Sequence, residues 1–212
     1  MTDLRIDIFS DVVCPWCFIG TERLRSVLSA WGEPLSVDVT YHPFLLDPST
    51  PPEGVVIADM LRQKYGADPR AMWDRVEGLA RDVGLELDLE KQKLMVPTAR
   101  AHTLLRHALA KGTQAELARA LFVAYFVDAK NVADEAVLLE LAAAHGFSEE
   151  EALSLISDPK ELADTRAEAA EATRLGIRGV PFFVFDGELA LSGAQPAEAF
   201  RQVIDQVLAK RK

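Results

Sequence analysis

Cysteine is almost absent from this chain: Cys14 and Cys17 stand near its start, and no other follows. Two thiols cannot build the multi-bridge scaffold of a small secreted domain. They also supply only half of a structural zinc site, which takes four ligands, usually a second cysteine pair or two closely spaced histidines. Histidine is scarce as well. Of the four present, His102 and His107 are five positions apart and fall on different faces of a helix, while His42 and His145 are isolated. Long apolar runs are missing, so no segment reads as a membrane span. Basic charge is in deficit: 23 Lys and Arg stand against 33 Asp and Glu, a net charge of -10. Neither nucleic acid nor an anionic membrane is expected as a partner, because both demand a basic footprint. The opening run Met1-Thr2-Asp3-Leu4-Arg5-Ile6-Asp7 lacks a basic segment followed by an apolar stretch. It does not read as a secretory signal, and a cytoplasmic location is expected. No glycine-rich dinucleotide or phosphate-loop signature occurs, and no internal repeat.

What remains is an ordinary globular composition, 49% hydrophobic and 26% charged over 212 residues. That is enough for one large domain, or for a small domain carrying an insertion. Leu4, Ile6 and Ile8 alternate with Arg5 and Asp7, which predicts a first strand. Leu24, Val27 and Leu28 follow at helical spacing up to Gly32, and Leu35, Val37, Val39 and Tyr41 alternate again. The chain up to residue 43 thus reads β-α-β, with the cysteines at the first strand-to-helix junction. Pro43, Pro48, Pro51 and Pro52 interrupt the pattern, and from about residue 55 to 175 the periodicity is helical throughout. Within that block Ser148-Glu149-Glu150-Glu151 predicts a capping box, and Asp158-Pro159 opens a helix that stops at Gly176. Strands then return: Pro181-Phe182-Phe183-Val184-Phe185, an Asp186-Gly187 hairpin turn, and Glu188-Leu189-Ala190-Leu191. A last helix carries Phe200, Val203, Ile204 and Leu208. The order predicts an α/β fold in which residues 1–43 and 160–212 form one sheet domain, split by an all-helical insertion over 44–159 that folds over it.

Chemistry concentrates in Asp11-Val12-Val13-Cys14-Pro15-Trp16-Cys17. A cysteine at a strand-to-helix turn faces free N–H groups and the helix dipole, which favour the reactive thiolate. Three readings of the pair stand side by side. In dithiol–disulfide exchange Cys14 attacks, and Cys17, one helical turn deeper, resolves the mixed disulfide. A zinc half-site needs ligands not seen elsewhere in the chain. Buried cysteines can also pack as inert apolar groups. Pro15 suits the first helical turn, where no N–H is needed. Trp16 either offers an apolar rim to substrate or packs against the insertion. Asp11 either shuttles a proton for Cys17 or serves as a cap or turn carboxylate. Val180-Pro181 is either a proline that begins a strand or a cis bond whose loop lies beside Cys14. His102 is either a site residue or a helix histidine satisfied at the insertion interface.

The runs Cys14-Pro15-Trp16-Cys17-Phe18-Ile19-Gly20, Gly176-Ile177-Arg178-Gly179-Val180-Pro181-Phe182-Phe183-Val184 and Ser192-Gly193-Ala194-Gln195 resemble the DsbA-like thioredoxin superfamily. Pro43-Phe44-Leu45-Leu46-Asp47-Pro48 and Ala101-His102 resemble its FrnE-like branch. The likeness spans nearly the whole chain. It implies a thioredoxin-like fold, a central mixed β-sheet flanked by helices, with a helical insertion. It also implies a Cys14 nucleophile, a Cys17 resolving thiol and a cis Pro181, with the Val180 backbone meeting the bound partner. Val96-Pro97-Thr98 and Thr103 depart from the branch, where Asn and Arg are usual, which weakens any role for His102. The leading expectation is a thiol–disulfide oxidoreductase acting on protein or low-molecular-weight thiols and disulfides. It needs no organic cofactor and leaves glutathione open as a co-substrate. Two alternatives accompany it. One is a glutathione-dependent enzyme resembling kappa-class transferases and 2-hydroxychromene-2-carboxylate isomerases, against which the paired cysteines argue. The other is a metal-binding or chaperone-like module using the dithiol as soft ligands. The sequence sets no oligomeric state.

Overall fold

The computed structural model describes residues 2–32, 35–66 and 68–210. Strand β1 (Thr2–Ser10) is central to the main sheet. It pairs in parallel with β2 (Leu35–Pro43) and antiparallel with β5 (Phe182–Phe185), which pairs antiparallel with β6 (Leu189–Ser192), giving the order β2-β1-β5-β6. The period-two alternation of β1 buries Leu4, Ile6 and Ile8 on one face, opposite Phe183 and Phe185. Helices α1 (Pro15–Ser29) and α9 (Ala197–Lys210) cover that face with Leu24, Val27, Phe200 and Ile204. The β5–β6 turn is of the left-handed hairpin type: Asp186 and Gly187 both have positive φ, 54° and 71°. The Asp186 carboxylate also accepts the Arg5 N–H at 2.9 Å.

Between β2 and α8 (Pro159–Arg174) lie α2 (Ile57–Tyr65), α3 (Arg70–Arg81), α4 (Ala99–Lys111), α5 (Gln114–Phe126), α6 (Glu135–Ala144) and α7 (Glu149–Ser157). The expectation of an all-helical insertion needs a correction. Val55–Val56 and Leu94–Met95 form strands β3 and β4 and pair antiparallel. Two-residue strands about forty positions apart are too short to produce a period-two signal, so helical periodicity masked them.

One helix start also differs in detail. α1 begins at Pro15, before the apolar run that first marks it, because Cys14 takes the N-cap and Pro15 the first turn. At α7 the expected capping box forms: the Ser148 side chain accepts the Glu151 N–H at 3.1 Å, and the Glu151 carboxylate meets both the Ser148 backbone N–H and, at 3.0 Å, Lys111 Nζ. Asp158 caps α8 as its Asp-Pro pair predicts.

One continuous apolar core joins the start of α1 to the inserted helices. Phe18 stacks on Phe122 of α5, with centroids 5.2 Å apart and planes 6° from parallel. Helix α8 packs on β2, on the side of the sheet opposite α1 and α9. No helix of the described residues is long and apolar enough to cross a membrane.

Candidate active site

Strand β1 ends at Ser10, and the chain turns tightly so that the Cys14 N–H reaches the Asp11 carbonyl at 3.0 Å. Cys14, with extended φ of -96° and ψ of 112°, is the N-cap of α1; its carbonyl accepts the Cys17 and Phe18 N–H groups at 3.0 and 3.3 Å. The junction therefore places Cys14 at the helix start and Cys17 one turn deeper. Both are free thiols. Cys14 is 3% exposed and Cys17 is fully buried.

The opposite end of the chain supplies the facing wall. The Val180–Pro181 bond is cis, and the Cys14 Sγ donates to the Val180 carbonyl at 3.8 Å. Three further contacts hold that loop; Gly20, Gly193 and Ala194 stand in the runs that carry the resemblance, whereas Arg23 stands in none of them. A Cβ on Gly20 would meet the Pro181 ring at 3.0 Å and Phe183 at 3.2 Å, so glycine lets the loop close on α1. The Arg23 guanidinium donates to the Ala194 carbonyl at 2.6 Å, and the Pro181 carbonyl accepts the Gly193 N–H at 2.8 Å.

Beneath the thiols, Asp11 and His102 meet. His102 Nε2 lies 3.3 Å from Asp11 Oδ1, and both side chains are 2% exposed. Asp11 Oδ2 accepts the Leu46 N–H at 2.9 Å. Asp11 does not cap α1 through its side chain; it ties the β1–α1 turn to the start and the middle of the insertion. Burial pushes the Cys17 thiol well up. The neighbouring Cys14 sulfur and the Asp11 carboxylate add to the rise, and only the Asp11 backbone N–H opposes it.

Above the thiols opens a cavity of about 340 Å³. Trp16, half-buried against the main core, forms one wall beside Cys14, so it is both rim and packing residue. Trp73, Val76, Tyr125 and Phe126 of the insertion form the other walls, and Gly179 and Val180 the mouth. Pro15 lines it too, whereas His102 does not. Among the described residues no three His, Cys, Asp or Glu side chains converge as a metal site.

The model of the DSBA-like thioredoxin domain matches residues 5–205. The chain belongs to that family. A probable DsbA oxidoreductase from Streptomyces coelicolor is 35% identical and superimposes with a TM-score of 0.88 over 99% of this chain and 92% of its own. Two more distant structures share the DSBA-like fold. A 2-hydroxychromene-2-carboxylate isomerase is 13% identical with a TM-score of 0.74 over 98% and 97%. The cytosolic disulfide reductase DsbM from Pseudomonas aeruginosa, solved with glutathione, is 22% identical with a TM-score of 0.65 over 97% and 99%.

Proposed function

We propose that this DSBA-family chain is a cytoplasmic thiol–disulfide oxidoreductase of the FrnE-like branch that cycles Cys14 and Cys17 between dithiol and disulfide. One observation carries the reading: a buried thiol pair at a helix start, with the Cys14 sulfur under the Val180 carbonyl of a cis-proline loop. In the reductive direction the Cys14 thiolate attacks a substrate disulfide and one substrate thiolate leaves. Cys17 then attacks the Cys14 sulfur, releasing the second thiolate and leaving the Cys14–Cys17 disulfide. The substrate gains two electrons and the dithiol loses them. Cys17 must lose its proton for the second step, and Asp11, whose charge already reaches that thiol, is its acceptor in this reading. Val180 and Pro181 hold the substrate chain against Cys14, and Pro15 and Trp16 shape the approach. Protein or low-molecular-weight thiols and disulfides are the partner classes of this reading, and glutathione is one small thiol to test as a co-substrate.

The metal-module alternative fits less well, since thiolates bind metal and burial keeps Cys17 protonated. The glutathione-dependent isomerase reading has only a shared fold behind it. Trapping decides the roles. Cys17→Ser should accumulate mixed disulfides that run as dithiothreitol-sensitive adducts, and Cys14→Ser should not. Equal adducts from both variants, or none from either, refute the assignment.

A further inference from the structure

The Cys14 side chain is all but buried, and the cavity it lines carries no charged side chain among the described residues. Resting on the oxidoreductase reading, we propose that the compound exchanged at Cys14 is a small, uncharged aromatic thiol or its disulfide, with its ring body held in this cavity. Size sets the first limit. An apolar cavity of about 150 Å³ holds one benzene ring, so about 340 Å³ admits roughly two. Polarity sets the second. The Gln92 amide is already engaged, donating to the Tyr125 carbonyl at 3.0 Å and accepting the Leu94 N–H at 3.2 Å, and the Tyr125 hydroxyl donates to the Leu94 carbonyl at 2.8 Å. Beyond the Gly179 and Val180 backbone, a peptide inside would meet, among the described residues, only the Trp16 and Trp73 indole N–H groups and the Tyr65 hydroxyl, too few for its repeated N–H and C=O groups. Each half of oxidised glutathione brings two carboxylates and an ammonium, and no charged side chain among the described residues lines the walls to pair with them. Shape sets the third. Trp16, Trp73 and Phe126 present ring surfaces, and Met60 and Met72 adapt around a flat guest.

The exchange balances as before. The aromatic disulfide loses its S–S bond to successive attack by Cys14 and Cys17, two aromatic thiolates leave and take up the two cysteine protons, and the Cys14–Cys17 disulfide forms.

Single-turnover stopped-flow on the reduced full chain tests this with dithiodipyridine, anionic dithiobis(nitrobenzoate), oxidised glutathione and reduction of insulin disulfides. Each rate is divided by the rate of the same disulfide with dithiothreitol. The normalised rate for dithiodipyridine should exceed the other three by about tenfold or more, since burying unpaired charge or backbone is costly. Met72→Arg, at a residue 38% exposed on the rim, should raise the nitrobenzoate rate and lower that of dithiodipyridine. Tyr65→Arg, 54% exposed on another helix, repeats the test if the first variant fails to fold. Equal normalised rates, a faster protein disulfide, or a ratio unmoved by the folded arginine variant overturns the substrate class while leaving the oxidoreductase reading intact. Failure to exchange with any disulfide overturns both.

Discussion

Asp11→Ala probes the joint between the two halves of the molecule. The substitution removes the acceptor of the Leu46 N–H at 2.9 Å and the partner of His102 Nε2 at 3.3 Å, at a point where both side chains are 2% exposed. Each buried polar group left unpaired costs about 1–3 kcal/mol. The carboxylate's own desolvation is relieved in return, so the expected loss is roughly 3 kcal/mol for the two groups together. With a urea slope of about 2–3 kcal/mol/M, the midpoint of the reduced protein should fall by roughly 1–1.5 M with the slope unchanged. Asp11→Asn keeps an oxygen for the Leu46 N–H and should cost about 1 kcal/mol. The same asparagine variant separates two chemical roles. If Asp11 accepts the Cys17 proton, the mixed disulfide resolves more slowly; if its charge only hinders Cys17 ionisation, resolution speeds up. A cost for Asp11→Ala below about 1 kcal/mol, or equal costs for alanine and asparagine, refutes the structural argument. Faster resolution in Asp11→Asn refutes the proton transfer.

Other perturbations read separate parts of the fold. The folded Cys17 thiol titrates well above its ordinary value of 9.0, so its contribution to stability is whole below the unfolded value and is lost as pH rises past it. Reduced wild type should therefore lose stability between neutral pH and pH ~10 more steeply than Cys17→Ala in urea titrations. At His42 burial works to lower the pKa, but the hydrogen bonds its ring donates to the Glu168 and Asp7 carboxylates outweigh it and the net shift is upward. That stability is present below about pH 6.5 and fades as pH rises through the folded value, so His42→Ala should cost more at pH ~5.5 than at pH ~8.5 in thermal melts. Gly20→Ala presses a methyl within 3.0 Å of the Pro181 ring and should cost about 1–3 kcal/mol; it should also slow Cys14 exchange with a small disulfide in stopped-flow. Arg23→Ala removes the 2.6 Å bond to the Ala194 carbonyl and should lower the urea midpoint by the equivalent of about 1.5–3 kcal/mol.

The sheet domain was legible because its signals are local. Leu4, Ile6 and Ile8 alternate, Asp186-Gly187 has few conformations open to it, and Asp158-Pro159 dictates a helix start. The cysteine pair was legible as chemistry because two residues at a strand-to-helix junction carry their own geometry. What stayed hidden is set by partners distant in sequence. The β3–β4 ladder joins positions about forty apart, and the Arg23 bond spans 171 residues. Gly20 looks like a weak spot in a helix until the Pro181 ring appears against it. Asp11 and His102 each left two readings open, because neither residue type announces a partner 91 positions away.

That pairing bears on why the insertion is part of the chemistry. Cys17 is buried by the core that Phe18 shares with Phe122, and the Asp11 carboxylate beside it is held by His102 of α4 and the backbone of Leu46. Burial, the strongest influence on the second thiol, and the smaller one of the Asp11 charge therefore depend on residues 44–159, while the Cys14 sulfur, the next strongest, comes from the strand-to-helix junction itself. In the proposed cycle attack by Cys14 draws on the helix start and the cis-proline loop, from the two ends of the chain, and on the cavity walls of the insertion. Resolution by Cys17 draws on the insertion residues beneath the thiols. A change beneath the thiols, at His102 or around the Leu46 backbone, would then alter how long a mixed disulfide lasts, whereas a change in the cavity walls of the same insertion, at Met72 or Trp73, would alter how fast it forms.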